Sequence, residues 1–153
     1  MHISILRRGL IPGLALSALL TAAPMAGAFA ASTTLTVPLS GAAEVPPVQT
    51  PGAGTAVLVY DPDTKKLSWT VEFGGLTGPA TMAHFHGPAM AGKNGPVALW
   101  LVPKGAAPAS PIKGEATLTP EQAKDFTSGE WYVNVHTADN PSGEIRGVIP
   151  AVH

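Results

Sequence analysis

From Thr33 onward, short β-branched and apolar runs recur between glycine and proline punctuation, and this rhythm restricts the fold more than any other feature of the chain. Proline breaks helix interiors and glycine weakens them. The 17 glycines and 16 prolines among 153 residues therefore disfavour a helical bundle and favour many short strands. Candidate strands are Thr33–Ser40, Gly54–Tyr60, Lys66–Phe73, Thr81–His86, Val97–Val102, Gly114–Leu118, Trp131–Thr137 and Glu144–Ile149. Their spacing predicts an all-β sandwich or barrel of a single domain. Leu67, Trp69, Val71 and Phe73 alternate with Ser68, Thr70 and Glu72, the period of a strand with one buried face. Asp61-Pro62-Asp63-Thr64 is a turn, because proline presets φ and aspartate bonds local backbone. Val97–Val102 is apolar on both faces and is expected to be central and covered on both sides. One short helix is expected at Thr119–Phe126, with Thr119 as cap, Pro120 at the first position, Gln122 completing the box and Gly129 ending it.

Arg7 and Arg8 precede an uncharged stretch rich in leucine and alanine, which ends in Ala28-Phe29-Ala30. Small residues at those two positions suit signal peptidase, so residues 1–30 read as a signal peptide with cleavage before Ala31. A membrane anchor usually wants about 20 apolar residues without such a site. The expected location is periplasmic or secreted, and no second long apolar run follows. The intact mass of exported protein checks this: a mature species retaining Arg7 and Arg8 would overturn it. Nine basic against ten acidic residues leave no basic excess for nucleic acid and no polybasic stretch for an anionic membrane. The absence of cysteine excludes disulfides, thiolate metal sites and a cysteine nucleophile. With no heptad pattern, the mature protein is expected to be a monomer or weakly associated, and an extracellular or periplasmic protein partner stays open.

His84-Phe85-His86 carries the most chemical information. On an extended strand a period of two puts both imidazoles on one face and Phe85 on the other. In the Trp131–His136 run, Trp131, Val133 and Val135 form an apolar row, while Tyr132, Asn134 and His136 form a polar one. If the two strands are neighbours, His136 becomes a third ligand, and three neutral imidazoles suit zinc or copper. Glu144 and Arg146 add a carboxylate and a guanidinium at the same period. The alternative is a hydrogen-bonded cluster that fixes loops, with Glu144 and Arg146 an ordinary ion pair worth less than about 1 kcal/mol if exposed. Glu44, in the extended Glu44-Val45-Pro46-Pro47 loop, is expected to face solvent, although its carboxylate could reach the patch. Trp69, Trp100 and Trp131 read as core or half-core residues, and His153 as solvated. No serine sits in a nucleophile elbow, no phosphate loop is present, and no carboxylate pair forms an acid/base couple.

Six ordered segments resemble the chordin-type, or CHRD, domain family. They are Leu39-Ser40-Gly41-Ala42-Ala43-Glu44-Val45-Pro46-Pro47-Val48, Gly54-Thr55-Ala56, Ala83-His84-Phe85-His86-Gly87-Pro88, Asn94-Gly95-Pro96-Val97, Tyr132-Val133-Asn134-Val135-His136-Thr137 and Gly143-Glu144-Ile145-Arg146-Gly147. The resemblance implies an extracellular, immunoglobulin-like antiparallel β-sandwich over residues 31–153, with its core at about 35–149, as in the single-domain secreted bacterial members. It speaks to fold and location more than to mechanism. It also pairs an H-x-H block with a distant Asn-x-His block, which implies one shared site.

Three functions compete. The first is a non-catalytic module binding copper or zinc through His84, His86 and His136, supported by Glu44, Asn134, Glu144 and Arg146, with affinity expected to fall as pH drops through about 6.5. The second is a structural or protein-interaction domain in which the same cluster only ties strands together. The third, an enzyme similar to copper/zinc superoxide dismutase, needs a larger histidine set and a disulfide, and this chain falls short of both.

Overall fold

A computed structural model describes residues 30–152. Residues 1–29, which make up all but the last residue of the expected signal peptide 1–30, and His153 lie outside the described residues. The strands are β1 (Thr33–Ser40), β2 (Ala53–Asp61), β3 (Lys66–Gly74), β4 (Ala80–His86), β5 (Val97–Trp100), β6 (Ile112–Thr117), β7 (Tyr132–Thr137) and β8 (Ile145–Val148). A short 3-10 turn (Gly41–Ala43) follows β1, and one helix, α1 (Pro120–Thr127), precedes β7. All strand pairs are antiparallel, in the order β5-β4-β7-β8-β1-β2-β3-β6.

This single sheet curls until its two halves face each other, and the result is sandwich-like. Trp69 of β3 meets Phe85 of β4 edge-on at 5.4 Å, although the two strands are far apart in the sheet order. The halves join at one β1–β8 pair, Ser40 with Arg146. Between them lies a core that includes Leu58, Leu67, Val71, Phe85, Val133 and Val135, all fully buried. Its driving force is the removal of these apolar faces from water.

Most local expectations hold. The β2–β3 turn is fastened by Asp61 Oδ1, which accepts from the backbone N–H groups of Asp63 at 2.9 Å and Thr64 at 3.3 Å. Thr119 and Gln122 form the reciprocal capping box of α1, with Pro120 at its first position. Gly129 then takes a φ of +76°, a conformation open to glycine without strain. The amphipathic helix turns Ala123 and Phe126 to the core, where Phe126 packs on Tyr60 and Trp131.

The Val97–Val102 expectation needs correction. Its strand, β5, is only four residues long and lies at the edge of the sheet, and Val97 is exposed. Apolar character there reflects packing onto what lies beside the strand rather than a doubly covered position. Trp100 covers a histidine of β4, and Gln122 of α1 donates to the Ala98 carbonyl at 3.1 Å, satisfying one group of the open edge.

Candidate metal centre

The β4–β7 register decides which side chains meet. Ala83 opposes Val135 and Phe85 opposes Val133, and all four are fully buried in the core. On the other face Met82 opposes His136, His84 opposes Asn134 and His86 opposes Tyr132. Arg146 of β8 opposes Asn134 on the far side. The faces read from sequence parity are therefore the observed ones. The polar face is nonetheless buried, because the segments around 41–48, 87–96 and 138–143 fold over it.

His84, His86 and His136 come together there, with one ring nitrogen from each within 4.8 Å of the others. A backbone carbonyl can only accept, which assigns the protons. His86 Nδ1 donates to Gly95 O at 3.0 Å and His136 Nδ1 donates to Pro141 O at 3.0 Å, so in both neutral rings Nε2 is bare. His136 Nε2 then accepts from His84 Nδ1 at 3.1 Å, which leaves His84 Nε2 bare as well. The Nε2 atoms of His84 and His86 are buried and have no hydrogen-bond partner. His86, fixed through Nδ1 by a main-chain carbonyl with Nε2 free, is oriented as metal-ligating histidines usually are, while His136 is fixed the same way and shares its Nε2 with His84. Tetrahedral nitrogens at 2.0–2.1 Å from zinc stand about 3.3 Å apart, so modest ring movements would close the set.

Burial lowers all three imidazole pKa values. In His84 the neighbouring His136 and His86 add to that effect and bring it to about 4. For His86 the Gly95 carbonyl, and for His136 the Pro141 carbonyl, pulls the other way without reversing the shift. The rings are thus kept in the neutral form that a metal requires.

Aromatic walls complete the site. Trp100 stands edge-on to His84 at 4.2 Å, and Tyr132 stacks parallel on His86 at 4.8 Å. Arg146 lies over the Tyr132 ring, 3.4 Å from its centroid. Its Nη1 donates to Asn94 Oδ1 and its Nη2 to Lys93 O, both at 2.9 Å, and Asn94 donates in turn to Val45 O at 2.9 Å. Arg146 therefore clasps two covering loops together. Sequence reading missed this clasp and the two ring walls. Asn94-Gly95-Pro96 belongs to one of the segments that carry the family resemblance, but nothing local ties Asn94 to Arg146, 52 positions away.

Two carboxylates differ from expectation. Glu44 is buried rather than solvent-facing, beside Asn134 and Arg146. Burial pushes its carboxyl up to about 7, against the lowering effects of Arg146, the Asn134 side chain and its own loop backbone. Glu144 forms no ion pair with Arg146. Among the described residues the one salt bridge joins Lys66 and Glu115 on the surface. Both Glu144 oxygens are instead occupied by threonines: Oε1 accepts from Thr50 Oγ1 at 2.5 Å and Thr77 N at 2.8 Å, and Oε2 from Thr77 Oγ1 at 2.7 Å and Thr137 Oγ1 at 2.6 Å.

A family model described as CHRD domain matches residues 35–149, and the six segments quoted above all fall inside it. No curated protein and no solved structure matches the chain. Among the described residues no helix is long and apolar enough to cross a membrane.

Proposed function

The chain belongs to the CHRD domain family, and on that premise we propose that it is a non-catalytic metal-binding protein of the periplasm or cell exterior, holding one copper or zinc ion through His84, His86 and His136. The single observation that carries this reading is the convergence of three buried imidazoles, one ring nitrogen of each within 4.8 Å of the others, with the Nε2 atoms of His84 and His86 unpartnered. Leaving a buried polar atom unpaired costs about 1–3 kcal/mol. Two such atoms on neighbouring imidazoles are what a ligand set leaves open for an ion. Asn134, Glu44 and Arg146 border the trio and would shape its surroundings, while Glu144 serves the loops. Export rests on the signal-like segment 1–30.

One observation favours a second reading, a structural or protein-interaction domain. The His84–His136 hydrogen bond and the Arg146–Asn94–Val45 clasp join strands and loops without any ion.

Calorimetric titration of metal-stripped protein with copper and with zinc tests the proposal, and saturable one-to-one uptake is expected. The lowered imidazole pKa values move the expected pH response. Protons should compete only well below pH 6.5, most steeply toward pH 4, where His84 itself is protonated. Uptake half lost at pH 6.5 or above, or no saturable uptake of either metal, would count against the trio as ligands.

A further inference from the structure

We propose that Met82 supplies a thioether as the fourth ligand of this centre and makes it a site for copper(I). The inference rests on the reading of the trio as a metal site and deepens it.

It starts from the register. A bulge between Ala80 and Met82 resets the alternation of β4, and from Met82 onward each residue has one partner on β7. Ala83 and Val135 are fully buried in the core, so their neighbours Met82 and His136 share the opposite face with His84 and His86. Directly opposed residues of an antiparallel pair have Cβ atoms about 4.5–5.5 Å apart. Methionine is unbranched and flexible, and from that distance its sulfur can reach the nitrogen set. Met82 is half-buried, which places it at the rim of a centre whose three imidazoles are buried.

The donor inventory supports the choice of ion. The converging group contains three histidines and no carboxylate. Glu144 is saturated by threonine donors, and the chain has no cysteine. Three neutral imidazoles and a neutral thioether put no negative charge on the ion, the bordering Glu44 carboxyl is pushed by burial toward its neutral form, and the Arg146 cation lies just beyond Tyr132 and His86. Burying an uncompensated charge is costly, and more so for a divalent than a monovalent ion. Thioether ligands, in turn, select copper(I). Charge and softness therefore point to the same ion.

The test is an anaerobic titration of the metal-stripped protein with copper(I) against a chromophoric chelator, with a parallel zinc(II) titration, on wild type and Met82→Leu. Leucine keeps the volume and removes the sulfur. The variant should lose about tenfold or more in copper(I) affinity while zinc(II) affinity is unchanged. X-ray absorption of the copper(I)-loaded wild type should show sulfur scattering that the variant lacks. Copper(I) affinity unaltered in Met82→Leu, or no sulfur scattering in wild type, would overturn the inference and leave the three-histidine reading standing. If neither metal binds wild type, that reading falls and takes this inference with it.

Discussion

Replacing Glu144 with alanine should destabilise the protein by about 3–5 kcal/mol, the largest single loss expected for any polar residue here. Its carboxylate is fully buried and accepts four hydrogen bonds from three separate segments: Thr50 after the 3-10 turn, Thr77 between β3 and β4, and Thr137 at the end of β7. Alanine would leave those donors facing an apolar void, each unpaired buried group costing about 1–3 kcal/mol, less whatever entering water repays. Gly52 lets the chain pass close to this carboxylate, since a Cβ there would stand 3.1 Å from Oε1. The pH dependence has a definite sign. Burial opposes ionisation, but the hydrogen bonds from Thr137, Thr50 and Thr77 outweigh it and hold the folded-state pKa at about 2. That stabilisation is present above the ordinary carboxyl value and is lost as pH falls toward 2, because the unfolded chain takes up its proton first. Chemical denaturation of wild type, Glu144→Ala and Glu144→Gln at pH 7 and pH 3 measures both effects. A loss under about 1 kcal/mol for the alanine variant would show that the threonines find other partners.

Parity made the histidine cluster largely readable. Alternation in β4 and β7 assigned His84, His86 and His136 to one face, and pairing of those two strands is the observed arrangement. What alternation cannot supply is how far a polar face is covered. Glu44 looks solvent-facing in isolation because nothing in the Glu44–Pro47 loop announces that it folds over Asn134. Glu144 and Arg146 share a period of two, yet each bonds to residues remote in sequence, so local spacing suggested an ion pair that long-range contacts replace. The edge position of β5 was hidden for a related reason. An apolar run looks the same whether it is covered by a second sheet or leans on one helix and one histidine.

His84→Leu should abolish most metal uptake, lowering affinity by more than about 100-fold, since even the loss of an outer-shell partner costs 10–100-fold. The same variant should change the stability of the metal-free protein by no more than about 1 kcal/mol. Leucine is close to histidine in size. It removes a buried nitrogen that has no partner, at the expense of leaving His136 Nε2 without its donor. Wild type should also carry an acid sensitivity that the variant partly loses. The folded-state pKa of His84 is about 4, while an unfolded imidazole protonates near 6.5, so between those values the unfolded chain holds more protons and stability falls as the pH is lowered. His86 and His136, also shifted downward, act in the same direction and remain in the variant. Metal should offset this loss in wild type alone, by about 2.7 kcal/mol at a free concentration one hundred times Kd. Paired denaturation and metal titrations at pH 7 and pH 5 separate the two readings of the cluster. A variant that takes up metal like wild type but unfolds several kcal/mol more easily when metal-free would make His84 a structural strut; the opposite pattern, intact stability without metal uptake, is what a ligand-bearing site requires.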